Sequence, residues 1–122
     1  MVYTDLIAWQ VSMELAEEIY RLIKKFPREE NYALADQLRR AVVSIPSNIA
    51  EGQARDFTRD YLKFLSYARG SKAEIDTQLQ LAVRLGYLSK DESKTAFELL
   101  IRTGKLLNAL IRSVEKKLEE QE

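Results

Sequence analysis

Residues 36–52 read DQLRRAVVSIPSNIAEG, and the spacing inside this stretch decides the fold. At 100° per residue, Leu38, Ala41, Ile45 and Ile49 continue one apolar stripe from Leu34, the pattern of an amphipathic helix. Gln37, Arg40, Ser44, Asn48 and Glu51 fall on the stripe beside it, where a plain bundle helix would carry Leu or Ala. A polar line therefore runs along the edge of a core. Pro46 interrupts the pattern, because a proline inside a helix removes one backbone hydrogen bond and costs roughly 3 kcal/mol or more. Two readings compete: a helix ending at Ile45 with another beginning at Pro46, or one helix kinked at Pro46. Ile49 carries the apolar stripe through the proline, which favours the kinked helix, and Ser47 and Asn48 are placed to cap groups freed there. Gly52 is the expected stop.

Working outward, the chain gives three more helices. The first is expected from an N-cap at Thr4 to about Lys25, with Leu6, Trp9, Met13, Ala16, Tyr20 and Ile23 as a heptad-like seam. Phe26 and Pro27 close it, since a residue before proline is pushed out of the helical region. The second is expected to start near Asn31 or Tyr32. After a short turn, Asp56 or Thr58 is positioned to cap a third helix reaching about Leu85, whose apolar face is Tyr61, Phe64, Leu65, Ala68, Ile75, Leu79 and Ala82. Gly70 costs about 1 kcal/mol inside a helix, so close approach of a neighbouring backbone is its expected use. Gly86 ends this helix, and Ser89 with Glu92 three residues later forms a capping box for the fourth. The fourth is expected to reach about Glu119, with a solvated, fraying tail. Four long helices with short connections predict an all-α, antiparallel up-down-up-down four-helix bundle in one domain.

Composition narrows the chemistry. The 122 residues include 19 basic and 19 acidic side chains, 46% hydrophobic residues, and neither cysteine nor histidine. Disulfides, thiol nucleophiles, thiolate or imidazole metal sites and the commonest general base are thereby removed. Affinity for nucleic acid has to come from a local patch and not from net charge. Asp5 and Glu14 come too early for a signal peptide, and no apolar run approaches the roughly 20 residues of a membrane helix. A reducing cytoplasm is the expected location.

Pairing the second and third helices about the turn near Asp56 sets Arg40 level with Ser71 and Glu74, and Ser44 near Ala68 and Ser71. Tyr67, Ser71, Glu74 and Gln78 line the margin of the third helix, so the two polar lines face each other. The expected outcome is a structural network fixing helix register, with Arg40 and Glu74 as its charged pair. A carboxylate site on Glu51 and Glu74 is the sharper alternative; it is disfavoured because di-iron bundles pair such glutamates with Glu-x-x-His motifs. A third option turns the polar line toward another subunit.

The combination of Gln37, Arg40, Ser44, Ile45, Pro46, Asn48, Ile49, Ala50, Glu51 and Gly52 with Gly70, Ser71, Glu74 and Gln78, preceded by LIAWQ, closely resembles one bacterial family. It is the four-helix-bundle family that includes proteins encoded within intervening sequences of 23S ribosomal RNA genes. The resemblance runs from Leu6 to Leu88. It implies a bundle assembling into a ring or barrel, a homopentamer, without enzymatic activity, and no cofactor or small-molecule substrate is expected. More distant relatives of this shape are accessory proteins of retroelement reverse transcriptases that bind nucleic acid through a basic surface.

The balanced charge departs from that pattern, yet Arg39, Arg55, Arg59, Lys63 and Arg69 lie on or near the turn joining the second and third helices and are candidates for phosphate contact. Glu51, Asp56 and Asp60 are interleaved with them, as on an ordinary solvated face. Val43, Pro46 and Ala50 on the second helix, with Ile101 and Ile111 on the fourth, extend apolar surface in more directions than one bundle buries, which marks a candidate oligomer interface. The sequence thus predicts a non-enzymatic helical assembly module with RNA or a nucleoprotein as partner, and a purely structural oligomeric scaffold as the alternative.

Overall fold

The computed structural model describes residues 2–122. A 3-10 turn (Tyr3–Asp5) leads into helix α1 (Ile7–Ile23), and a second 3-10 turn (Arg28–Glu30) precedes helices α2 (Leu34–Gln53), α3 (Thr58–Arg84) and α4 (Lys90–Gln121). No strand occurs among the described residues. Helices α2 and α4 each pack on both α1 and α3, so the four form a closed square with no packed diagonal, and α2 with α3 is the most extensive edge. Ser44 meets Ser71 and Gln37 meets Gln78, so positions rise along α2 as they fall along α3. Thr58 meets Gln121 in the same sense between α3 and α4.

The centre is aliphatic. Leu15 and Ile19 of α1, Leu38, Ile45 and Ile49 of α2, Leu65, Ile75 and Leu79 of α3, and Leu100 and Leu107 of α4 are buried almost without residue. Each such side chain contributes roughly 1.5–3 kcal/mol of burial, before the entropy of ordering it is set against the gain. Helix α2 runs unbroken through the buried Pro46, which rules out two helices meeting there. The continuous stripe of Leu38, Ala41, Ile45 and Ile49 holds the segment against the core on both sides of the missing N–H, and packing outweighs the local cost.

The seam of α1 differs from the expected one. Ala8, Val11, Leu15, Ile19 and Leu22 are buried, whereas Met13 and Tyr20 are exposed and Trp9 and Ala16 are half-buried at the margin. Two neighbouring rows of α1 are apolar, and spacing alone does not choose between them. The larger aliphatic row took the centre. Thr4 is not the N-cap: it lies in the first 3-10 turn, its carbonyl accepts from Gln10 at 2.9 Å, and Leu6 holds the cap position.

Three glycines have different uses. Gly52 does not stop α2, which continues to Gln53; it is buried where a Cβ would lie 2.9 Å from Phe64 Cβ and 3.0 Å from Tyr61 Cδ1. Gly70, expected beneath a neighbouring backbone, has no other group within 4 Å of where its Cβ would be. Gly86 has φ +80° and ends α3, and the Tyr87 N–H donates to the Ala82 carbonyl at 3.0 Å, the outer bond of a Schellman cap.

At the start of α3, Phe57 occupies the cap position without a side-chain bond, so neither Asp56 nor Thr58 caps it. The start of α4 matches its expected box: the Glu92 N–H donates to Ser89 Oγ at 3.0 Å, and the Ser89 N–H donates to the Glu92 carboxylate at 2.9 Å. Glu92 also reaches Lys25 at 3.2 Å, across to the end of α1. The Ser89 N–H first and the lysine second hold its carboxyl below the usual range. The other end of α4 is docked, since Gln121 accepts from Thr58 at 2.8 Å and Glu122 pairs with Arg59.

Candidate functional site

The polar line divides into an inner and an outer part. Inside, Ser71 donates to Ser44 Oγ at 2.8 Å, and the Asn48 amide donates both to that oxygen and to the Ser44 carbonyl, each at 2.8 Å. Ser71 is buried and Ser44 and Asn48 are half-buried, so the Ser71–Ser44 bond ties α3 to α2 where water has limited access, and Asn48 holds the accepting oxygen from within α2. Outside, Gln78 donates to Gln37 at a long 3.4 Å, while Arg40, Glu51 and Glu74 are exposed.

The expected Arg40–Glu74 pair is absent from the structure's ion pairs. Arg40 instead bonds Asp36 one turn back at 3.2 Å, with its side chain 81% exposed. A long surface cation finds the carboxylate on its own helix without being drawn into the α2–α3 edge. Glu51 is likewise taken by Arg55 at 2.9 Å. Glu74 borders a shallow groove with Gln37, Gly70, Gln78 and Leu81, apart from the Glu51–Arg55 pair. Among the described residues, no group of His, Cys, Asp or Glu is arranged to hold a metal ion.

The five cations assigned to the α2–α3 turn do not form one free patch. Arg39 lies about 21 Å along α2 from its last residue, Gln53, at 1.5 Å per residue, and donates to the Asn31 carbonyl at 2.6 Å and to its side-chain oxygen at 3.2 Å. Arg55 bonds Glu51 and stacks 4.7 Å over the Phe64 ring, with Lys63 at 5.6 Å from the same ring. Arg59 is paired with Glu122. Arg69 is exposed and forms no ion pair among the described residues. Arg55 and Lys63 thus share one aromatic ring, and Glu51 and Glu122 neutralise Arg55 and Arg59.

Of the apolar residues assigned to an interface, Val43 and Ile101 are exposed, Ile101 at 56%, and Ala50 is half-buried. Pro46 and Ile111 are buried within the chain itself and are withdrawn from that surface. Their helix faces turn inward once the bundle closes. The structure adds Tyr67 and Leu81 on α3 and Leu85 at its C-terminal cap, all large and exposed.

One further surface was not singled out by sequence reasoning. On α4 the buried residues are Ser93, Ala96, Leu100, Thr103, Leu107, Ile111 and Val114. Opposite them, at helical spacings of four and three, lie Lys94, Glu98, Arg102, Lys105, Ala109, Arg112 and Lys116, all exposed. The signal was present in the sequence but was masked by the acidic residues at both ends of the same helix.

Residues 4–109 match the family model of the 23S rRNA-intervening sequence proteins. The chain belongs to this family. A solved structure, described as a protein of unknown function from the S23 ribosomal protein family of Bacteroides thetaiotaomicron, is 24% identical to it. The match covers 86% of this chain and 98% of that one with a TM-score of 0.79, a likeness of fold. No curated protein matches the chain. The matched residues include the polar line, the α2–α3 turn and α4 as far as Ala109, whereas Ile111, Arg112 and Lys116 lie beyond them.

Proposed function

We propose that this family member is a non-enzymatic helical module that assembles with copies of itself into a closed ring, of the homopentameric kind, and binds RNA or a nucleoprotein. The observation that carries the assembly is the apolar surface left outside a well-filled core: Val43 on α2, Tyr67 and Leu81 on α3 with Leu85 at its C-terminal cap, and Ile101 on α4. Covering even part of each side chain is favourable at about 25 cal/mol per Å². The patches lie on different helices and are unlike one another, so a contact between two unlike patches on neighbouring copies is heterologous, the kind that makes a ring when its rotation closes.

The test is native mass spectrometry of protein prepared gently in low salt without nuclease. An oligomer carrying nuclease-sensitive mass is the expected result. A monomer at micromolar concentration overturns the assembly. Replacing Leu81, Leu85 and Ile101 together by Glu is expected to release helical monomers. The second reading, an oligomeric scaffold for another protein, is favoured by one observation: Arg39, Arg55 and Arg59 are already engaged within the chain. A bare oligomer that no RNA joins would select it.

A further inference from the structure

We propose that the outward face of α4 is a contact surface for the phosphate backbone of double-stranded RNA, with Arg102, Lys105 and Arg112 at its centre and Lys94 and Lys116 at its ends. This rests on the RNA-binding reading and names the surface that performs it.

The first argument is charge sorting in a chain of zero net charge. Along positions 94, 98, 102, 105, 109, 112 and 116 there are five cations and one carboxylate, Glu98. From residue 99 to residue 114, α4 has no acidic residue at all. At 1.5 Å per residue the stripe is about 33 Å long.

The second argument is that these cations are left unpaired side by side. Arg21, Arg40, Arg55 and Arg59 are neutralised by Glu18, Asp36, Glu51 and Glu122, and the exposed Arg69 and Arg84 that form no ion pair with a described residue stand on α3, away from the stripe. None of the five α4 cations takes part in an ion pair or side-chain hydrogen bond among the described residues. Arg102 and Lys105 are three apart and Arg112 and Lys116 four apart, so like charges sit as surface neighbours, an arrangement that opposes helix stability. An external polyanion removes that opposition.

The third argument selects the duplex. The stripe contains no aromatic side chain, and the residue between its central cations is Ala109. Single strands are held by stacking bases on aromatic platforms, whereas double-stranded RNA is recognised through phosphates, 2′-hydroxyls and shape. A straight, narrow row of cations without stacking groups matches the second mode. The α2–α3 turn, where Arg55 and Lys63 sit over Phe64 beside the exposed Phe57, has the opposite character.

The experiment compares the wild-type chain with the triple variant Arg102→Gln, Lys105→Gln, Arg112→Gln, and with the turn variant Arg55→Gln, Arg59→Gln, Lys63→Gln. The probe is a labelled RNA duplex of about two helical turns, titrated at several salt concentrations, with one of its strands alone as comparison. The wild type is expected to prefer the duplex. The α4 variant is expected to bind it about tenfold or more weakly, and to lose roughly 2–3 from the slope of log K against log salt, about one per phosphate contact. The turn variant is expected to bind as the wild type does. Gln is a good helix former and the sites are exposed, so circular dichroism should be unchanged. Lys105→Glu alone serves as a second, milder reporter, expected to weaken binding in the same direction.

Full duplex affinity in the α4 variant, with loss in the turn variant, overturns this inference and leaves the RNA reading standing. A wild type that retains neither probe overturns both. A change in subunit count on α4 substitution, with RNA affinity unchanged, assigns the stripe to contacts between copies and overturns it too.

Discussion

Ser71 on α3 and Ser44 on α2 share a hydrogen bond of 2.8 Å, and the oxygen that accepts it also accepts from Asn48. Both hydroxyls sit at the edge of the aliphatic core, so the bond fixes register between the two most extensively packed helices. Ser71→Ala is expected to cost about 1 kcal/mol, the usual net value of one such bond. In a domain of this size that lowers the melting temperature by about 3–5 °C. Thermal unfolding followed by circular dichroism reads this directly, and an unchanged transition would mean the bond adds nothing in solution.

Arg40→Ala is expected to do far less than an inward-facing cation would. Its partner is Asp36 on the same helix and its side chain is largely in water. Pairs of this kind contribute about 0.3–0.5 kcal/mol. A loss several times larger in urea titration would point to an inward role for the guanidinium.

Gly52 and Gly70 predict opposite outcomes for the same substitution. Gly52→Ala places a methyl group against Phe64 Cβ and the Tyr61 ring, neither of which is a freely swinging chain end. It is expected to destabilise by about 1–3 kcal/mol in spite of its better helix propensity. Gly70→Ala meets open space and is expected to stabilise by about 0.5–1 kcal/mol. Matching signs for the two in chemical denaturation would contradict the packing around Gly52.

The capping box carries a pH dependence. Glu92 is held below the ordinary carboxyl value of 4.5 by the Ser89 N–H and then by Lys25. An acid whose folded value is lowered contributes stability in full above its unfolded value, and that contribution disappears as pH falls through the folded one. Wild type should therefore exceed Glu92→Gln at neutral pH, and the gap should close below about pH 4.5 as the carboxylate takes up its proton. Urea midpoints of both proteins across that range are the check, and a constant gap would show that the titration is not linked to folding.

The features legible in the sequence were those set by neighbours along the chain. Ser89 and Glu92 announce their cap because three residues of spacing suffice, and Gly86 marks the end of α3 because a left-handed residue was needed. The level of Ser44 against Ser71 also followed, because a tight turn and helical rise leave little freedom. What escaped was competition between equals. In α1, the row of Trp9, Met13 and Tyr20 and the row of Val11, Leu15 and Leu22 satisfy one periodicity, and only the packed partners decide which faces inward. Arg40 had carboxylates on two helices within plausible reach, and the nearer on its own helix prevailed. The unpaired cations of α4 required knowledge of which charges remain unmatched, a property of the whole surface.

The closed square has a consequence for the order in which the chain acquires it. Three of its edges join helices that follow one another directly, whereas the α1–α4 edge links the two ends of the sequence. Closing a long loop costs more entropy than closing a short one, so the α2–α3 hairpin, with its larger interface, should condense first and the α1–α4 edge last. The same edge is then the seam along which the bundle opens under mild stress. Amides of α1 and α4 should exchange with solvent before those of α2 and α3, leaving the serine-bonded hairpin as the last part of the molecule to lose protection.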